Sequence, residues 1–130
     1  MDYGFTVRSV SGVEETLVLL RSALTAQGFE LVGESDLSTV IREKVGEEIG
    51  PWVLVNVCHP DLAFQVLGLD RGMGVLVTSG IVVRAGRDAT MVEALDPQVV
   101  LGLAEDMRLD PIGAEAGRRL RVALRQLPRP

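Results

Sequence analysis

A single cysteine and a single histidine, adjacent at Cys58 and His59, are all the thiol and imidazole in this 130-residue chain. No intrachain disulfide can form, and no zinc site built from several thiolates is possible. A Ser-His-Asp triad would have to use His59. Aromatic residues are equally scarce: Tyr3, Phe5, Phe29, Trp52 and Phe64 are the whole set, so the core must be aliphatic, built mainly from Val and Leu. No apolar run approaches the roughly 18 residues of a membrane span. The start, Met1-Asp2-Tyr3-Gly4-Phe5, lacks the basic opening and apolar stretch of a signal peptide. A cytoplasmic protein without a membrane partner is expected. There is no Gly-rich phosphate loop, no calcium-loop spacing and no Gly-x-Ser-x-Gly elbow. The common enzyme classes lose ground accordingly, and neither a cofactor nor a metal site is expected.

Basic residues are also in deficit. Thirteen Lys and Arg face 18 Asp and Glu, a formal net charge of −5, and Lys44 is the only lysine. An acidic chain needs a local basic patch to hold phosphate backbones. The one candidate is C-terminal: Arg118, Arg119, Arg121, Arg125 and Arg129. Cations near a helix C-terminus also suit the dipole, so no nucleic-acid partner is expected.

What is present is a well-marked set of elements within one domain, residues 1–130. Phe5 to Val10 alternates apolar and polar side chains, as a half-buried strand should. Ser11-Gly12-Val13-Glu14 has the form of a capping box. Val13, Leu17, Leu20 and Leu24 follow as a helical stripe, with Gly28 as the left-handed stop. Residues 29–32 read as a short strand and residues 36–45 as a short helix, capped by Asp36 and ended by Gly46. Trp52 to Cys58 reads as a buried strand. Proline at a first helical position marks helix starts at Pro60, Pro97 and Pro111, the last two after an aspartate able to cap. Residues 75–77 and 81–84 read as strands or one bent strand, residues 85–88 as a hairpin turn and residues 90–94 as the returning strand. Helices are predicted to run from Pro97 to about Glu105 and from Pro111 to about Leu127. The expectation is an α+β fold: a mostly antiparallel sheet with helices packed on one face.

An ordered set of short motifs runs through this framework: Gly28-Phe29, Glu34-Ser35-Asp36, Lys44-x-Gly46, Cys58-His59-Pro60 with Ala63, Gly74-Val75-Leu76-Val77 and Asp96-Pro97. In this order they resemble the domain-of-unknown-function family 302, found in bacteria and archaea. The resemblance covers about residues 3–101, leaving a C-terminal helical extension at about 111–127. It implies a TATA-box-binding-protein-like fold and a homodimer, and no settled activity. Similar proteins often carry a Pro-Cys pair where this chain has Thr78 and Ser79, so two-thiol chemistry within one chain is excluded.

Four places compete for function. Cys58 at a helix start could be a nucleophile or redox sensor assisted by His59. Alternatively Cys58 packs as a small apolar group while His59 faces solvent. Asp36 and Lys44, with Glu34, could line a cleft for a charged ligand, or serve as helix cap and dipole partner. Thr78-Ser79-Gly80 could turn hydroxyls towards a pocket near Cys58, or mark a bulge. The terminal helix, with Ile112, Ala116, Leu120, Ala123, Leu124 and Leu127 on one side, could meet a partner or close the core. The leading expectation is a homodimeric binding or accessory module with a modest small-molecule pocket formed by Asp36, Lys44, Cys58 and Ser79. A thiol-dependent enzyme or redox sensor using Cys58 is the alternative.

Overall fold

Side chains that alternate across a strand and recur every 3.6 residues along a helix leave two apolar surfaces that must meet. The computed structural model, which describes residues 2–130, shows how they do so. The order is β1 (Gly4–Ser9), α1 (Val13–Ala26), β2 (Glu30–Asp36), α2 (Leu37–Val45), β3 (Trp52–Cys58) and α3 (Pro60–Leu69), then β4 (Ser79–Ala85), β5 (Thr90–Leu95), α4 (Pro97–Gly102) and α5 (Asp110–Arg125). Two 3-10 turns, Arg71–Leu76 and Met107–Leu109, complete it.

The strands form one sheet in the order β1-β5-β4-β3-β2, with every neighbouring pair antiparallel. The chain is thus α+β, as its patterning predicts. Leu17, Leu20 and Leu24 of α1 and Leu120, Ala123 and Leu124 of α5 pack on the inward positions Val55, Val57, Ile81, Val83, Val92 and Ala94. Burying each such Leu contributes about 1.5–3 kcal/mol. A second, smaller core joins Val66, Leu101, Leu109 and Ile112, with Leu62, Met73 and Leu76 against it. It fills the space between α3, α4, α5 and the first 3-10 turn.

Several local expectations change, each for a physical reason. The capping box does not form: Gly12 is the N-cap of α1 and no side chain caps the helix. Ser11 is engaged elsewhere, its carbonyl accepting from the hydroxyls of Thr16 (3.2 Å) and Thr90 (2.7 Å). Residues 75–77 are not a strand. Asp70 accepts from the Gly72 N–H and starts a 3-10 turn instead, and Val75 is left 85% exposed. The β3–β4 register is continuous through Ser79 and Gly80, so the bulge expected as one option there is absent; the irregularity lies in β2, between Leu31 and Gly33. α4 stops at Gly102, short of Glu105, which adopts a positive φ of 53°. Asp96 caps α4 as expected, whereas Asp110 is already inside α5. Nor is β3 buried on both sides: Val55 and Val57 are buried, while Leu54 and Asn56, which alternate with them, are exposed.

Candidate functional site

His59, which one of the two readings turns towards solvent, is buried at 7% exposure. Its Nδ1 accepts from the Leu62 N–H at 3.5 Å, so the ring itself caps α3. The other ring nitrogen, Nε2, lies 3.5 Å from Nη1 of Arg119. A neutral imidazole can accept at only one nitrogen, so the two contacts cannot both be hydrogen bonds, and each is at the outer limit of length. Phe29 meets the ring edge-on, with centroids 5.3 Å apart. Arg119 also donates to the Gln27 carbonyl (3.3 Å) and, through Nε, to Glu115 (2.8 Å). The buried imidazole therefore packs where the start of α3, the end of α1 and α5 meet, and Arg119 ties α5 to the end of α1.

Beside this junction is a recess of about 40 Å³. Cys58, His59, Thr78 and Ser79 contribute to its lining, but most of the wall is apolar, including Leu62, Val66, Leu76, Leu101 and Ile112. The Cys58 thiol is pushed above its ordinary value, first by burial and then by the Glu30 carboxylate, which lies opposite it in the β2–β3 register. That is the reverse of what an activated thiolate requires. Ser79 is buried, and its hydroxyl donates to the Leu95 carbonyl at 3.1 Å.

Of the four residues expected to converge, the structure brings together two. Cys58 and Ser79 share the recess. Asp36 faces Val53 at the other end of β3, about 17 Å away at the rise of a strand. Its carboxylate caps α2, accepting from Ser38 Oγ (2.5 Å) and the Thr39 N–H (3.3 Å), and these bonds lower its pKa. Lys44 stands exposed in the last turn of α2. Glu34 pairs with Arg21 of α1. In the C-terminal arginine cluster, Arg118 and Arg119 both pair with Glu115, and Arg121 lies over the Phe5 ring at 4.6 Å. Among the described residues no three His, Cys, Asp or Glu side chains gather as a metal would need, and no helix is long and apolar enough to cross a membrane.

The feature that sequence reasoning missed lies on the sheet's other face. Among the described residues no helix covers its middle, where a groove of about 330 Å³ is lined by Tyr3, by strand residues such as Leu54, Asn56, Val82 and Leu95, and by Gly80. Leu54 and Leu95 are each 36% exposed and Tyr3 is 55% exposed. Beside the groove Arg84 pairs with Glu93 at 2.7 Å and lies over the Trp52 ring. A sheet facing water on one side ordinarily shows polar residues there. The continuous apolar run of β3 was the signal, and it reads as burial on both faces only because a single chain does not reveal a bare face.

An antiparallel five-stranded sheet, helices on one face and an apolar recess at the sheet's end define an α+β domain whose candidate sites are surfaces and hollows. The family model described as "Domain of unknown function DUF302" matches residues 5–127, a span that takes in α5. The chain belongs to that family. It is similar to the crystal structure of an uncharacterized conserved DUF302 protein from Bacillus stearothermophilus, with a TM-score of 0.90 and 25% sequence identity. The match covers 97% of this chain and 98% of that one. No curated protein matches.

Proposed function

We propose that this chain is a cytoplasmic binding or accessory module that works as a homodimer, joined through the bare face of its sheet. The observation that carries this reading is the set of apolar side chains at outward strand positions, Leu54, Val82 and Leu95, around a groove floored by Gly80. Leu54 and Leu95 are exposed and Val82 is half-buried between them, and a contiguous apolar patch of this kind is the ordinary mark of an interaction site. A two-fold axis places one patch against its own copy, and Arg84 beside Glu93 gives that patch both signs of charge. The recess beside Cys58 and Ser79 is the module's small-molecule pocket. The thiol-enzyme alternative draws no support from a thiol whose pKa is raised.

Size-exclusion chromatography with light scattering tests the assembly. A dimer is expected at micromolar concentration, and Val82→Glu should convert it to a monomer with unchanged circular dichroism. A wild-type monomer at every accessible concentration would remove the proposal. A Val82→Glu protein that stays dimeric would move the interface away from the sheet, towards the end where Phe64, Val75, Leu103 and Met107 are exposed.

A further inference from the structure

We propose that the recess beside Cys58 binds a small, largely apolar molecule, and that the 3-10 segment Arg71–Leu76 is the wall that yields to admit it. This rests on the reading of the chain as a binding module and gives its pocket a ligand class.

The lining decides the chemistry. Leu62, Val66, Leu76, Leu101 and Ile112 surround the space. The buried polar groups at its edge are already engaged, Ser79 Oγ donating to Leu95 and His59 Nδ1 accepting from Leu62, while Thr78 stands at the exposed rim and Cys58 offers only a weakly bonding thiol. Among the described residues no buried side-chain N or O lacks a partner. Hollows of this composition stay dry and accept apolar guests, whereas a polar guest would surrender its water for nothing in return.

The size decides that something must move. About 40 Å³ accommodates little more than a water or two, while an engineered cavity of about 150 Å³ accepts benzene. Three of the walls are fixed. α3 begins at the buried His59, whose ring packs against Phe29 at the end of α1 and beside Arg119 of α5. α4 and α5 touch at Gly113, where even a methyl group would come within 2.9 Å of the Gln98 backbone. β3 and β4 are locked by their ladder. The 3-10 segment buries none of its residues and includes Gly72 and Gly74. Met73 and Leu76 alone anchor it to the smaller core, and only partly buried, so its local opening costs less than that of the other walls, and its last residue, Leu76, closes the recess.

Benzene is the probe, with acetate as a polar control of small size, followed by methyl and amide NMR on the intact protein. Methyls of Leu62, Val66 and Ile112 should shift saturably with benzene, and the amides of residues 72–77 should shift with the same midpoint. Acetate should move neither set. Filling the recess with Ala116→Leu should weaken benzene binding at least tenfold, and Ala63→Leu does the same from the α3 side if the first variant fails to fold. Absence of saturable shifts, shifts spread equally over Leu54, Val82 and Leu95, or methyl shifts with motionless amides at 72–77 would overturn the proposal. Repeating the titration on Val82→Glu separates the two readings: a protein that has lost its assembly must still bind.

Discussion

At the scale of single residues, Gly28 bears two constraints at once. Its φ of 88° lies in the left-handed region, and a Cβ there would come within 2.6 Å of His59 Nε2. Gly46 shares the first constraint, with φ 78°, but has nothing within 4 Å. The pair isolates the contact from the backbone strain. Gly46→Ala should cost about 1–2 kcal/mol, the ordinary left-handed penalty. Gly28→Ala should cost roughly 1–3 kcal/mol more, as overpacking does, because the imidazole is buried and packed edge-on against Phe29. Chemical denaturation of both variants checks the difference, and equal losses would mean that the ring simply moves aside. The stop at Gly28 was legible in the sequence. Its partner was not, since the identity of the residue packed against a glycine follows from tertiary structure alone.

At the scale of elements, the close crossing of α4 over α5 depends on the absence of side chains. A Cβ at Gly113 would lie 2.9 Å from Gln98 Cα, whereas one at Gly117 would lie 3.0 Å from a carboxylate oxygen of Asp96. Backbone cannot give way cheaply, and a side chain can swing. Gly113→Ala is therefore expected to destabilise by about 1–3 kcal/mol and Gly117→Ala by less, as melting temperatures of the two variants would show. The elements themselves were largely legible. α1 announces itself by periodicity, β3 by its apolar, β-branched composition, β5 by the hairpin turn before it, and α2 by Asp36 and Gly46, its cap and its stop. Val75 and Val77 misled because β-branched residues mark strands only where a neighbouring strand exists to pair with. Here the Asp70 cap turns the chain first. The candidate site fared less well: Asp36 and Lys44 are neighbours along the chain to Cys58 only in the loosest sense, and β3 holds Asp36 and Cys58 a full strand length apart.

At the scale of the whole molecule, a chain of net charge −5 pairs many of its carboxylates with arginines, both between elements and within them. Glu115 is the busiest of these: hydrogen bonds from Arg118 first and Arg119 second hold its pKa at about 2, against an ordinary 4.5. Because the folded carboxyl gives up its proton more readily than the unfolded one, its stabilisation is complete above pH 4.5. It disappears as the pH falls towards 2. The group is exposed, so salt should shrink the effect. Glu115→Gln is expected to flatten the stability profile over that acid window and leave its neutral plateau nearly level. An unchanged acid limb at low ionic strength would contradict this.

The strand order has a kinetic consequence. From β3 to β5 each strand pairs with its immediate predecessor, but β1 pairs with β5, setting Gly4 opposite Leu95. Closing so long a loop is slow relative to zipping a meander, so the first strand made is the last one seated. Until it arrives, the edge of β5 is an open template, and the first strand of another copy has the same sequence as the rightful occupant. Strand exchange between chains refolding at high concentration is the error this topology invites.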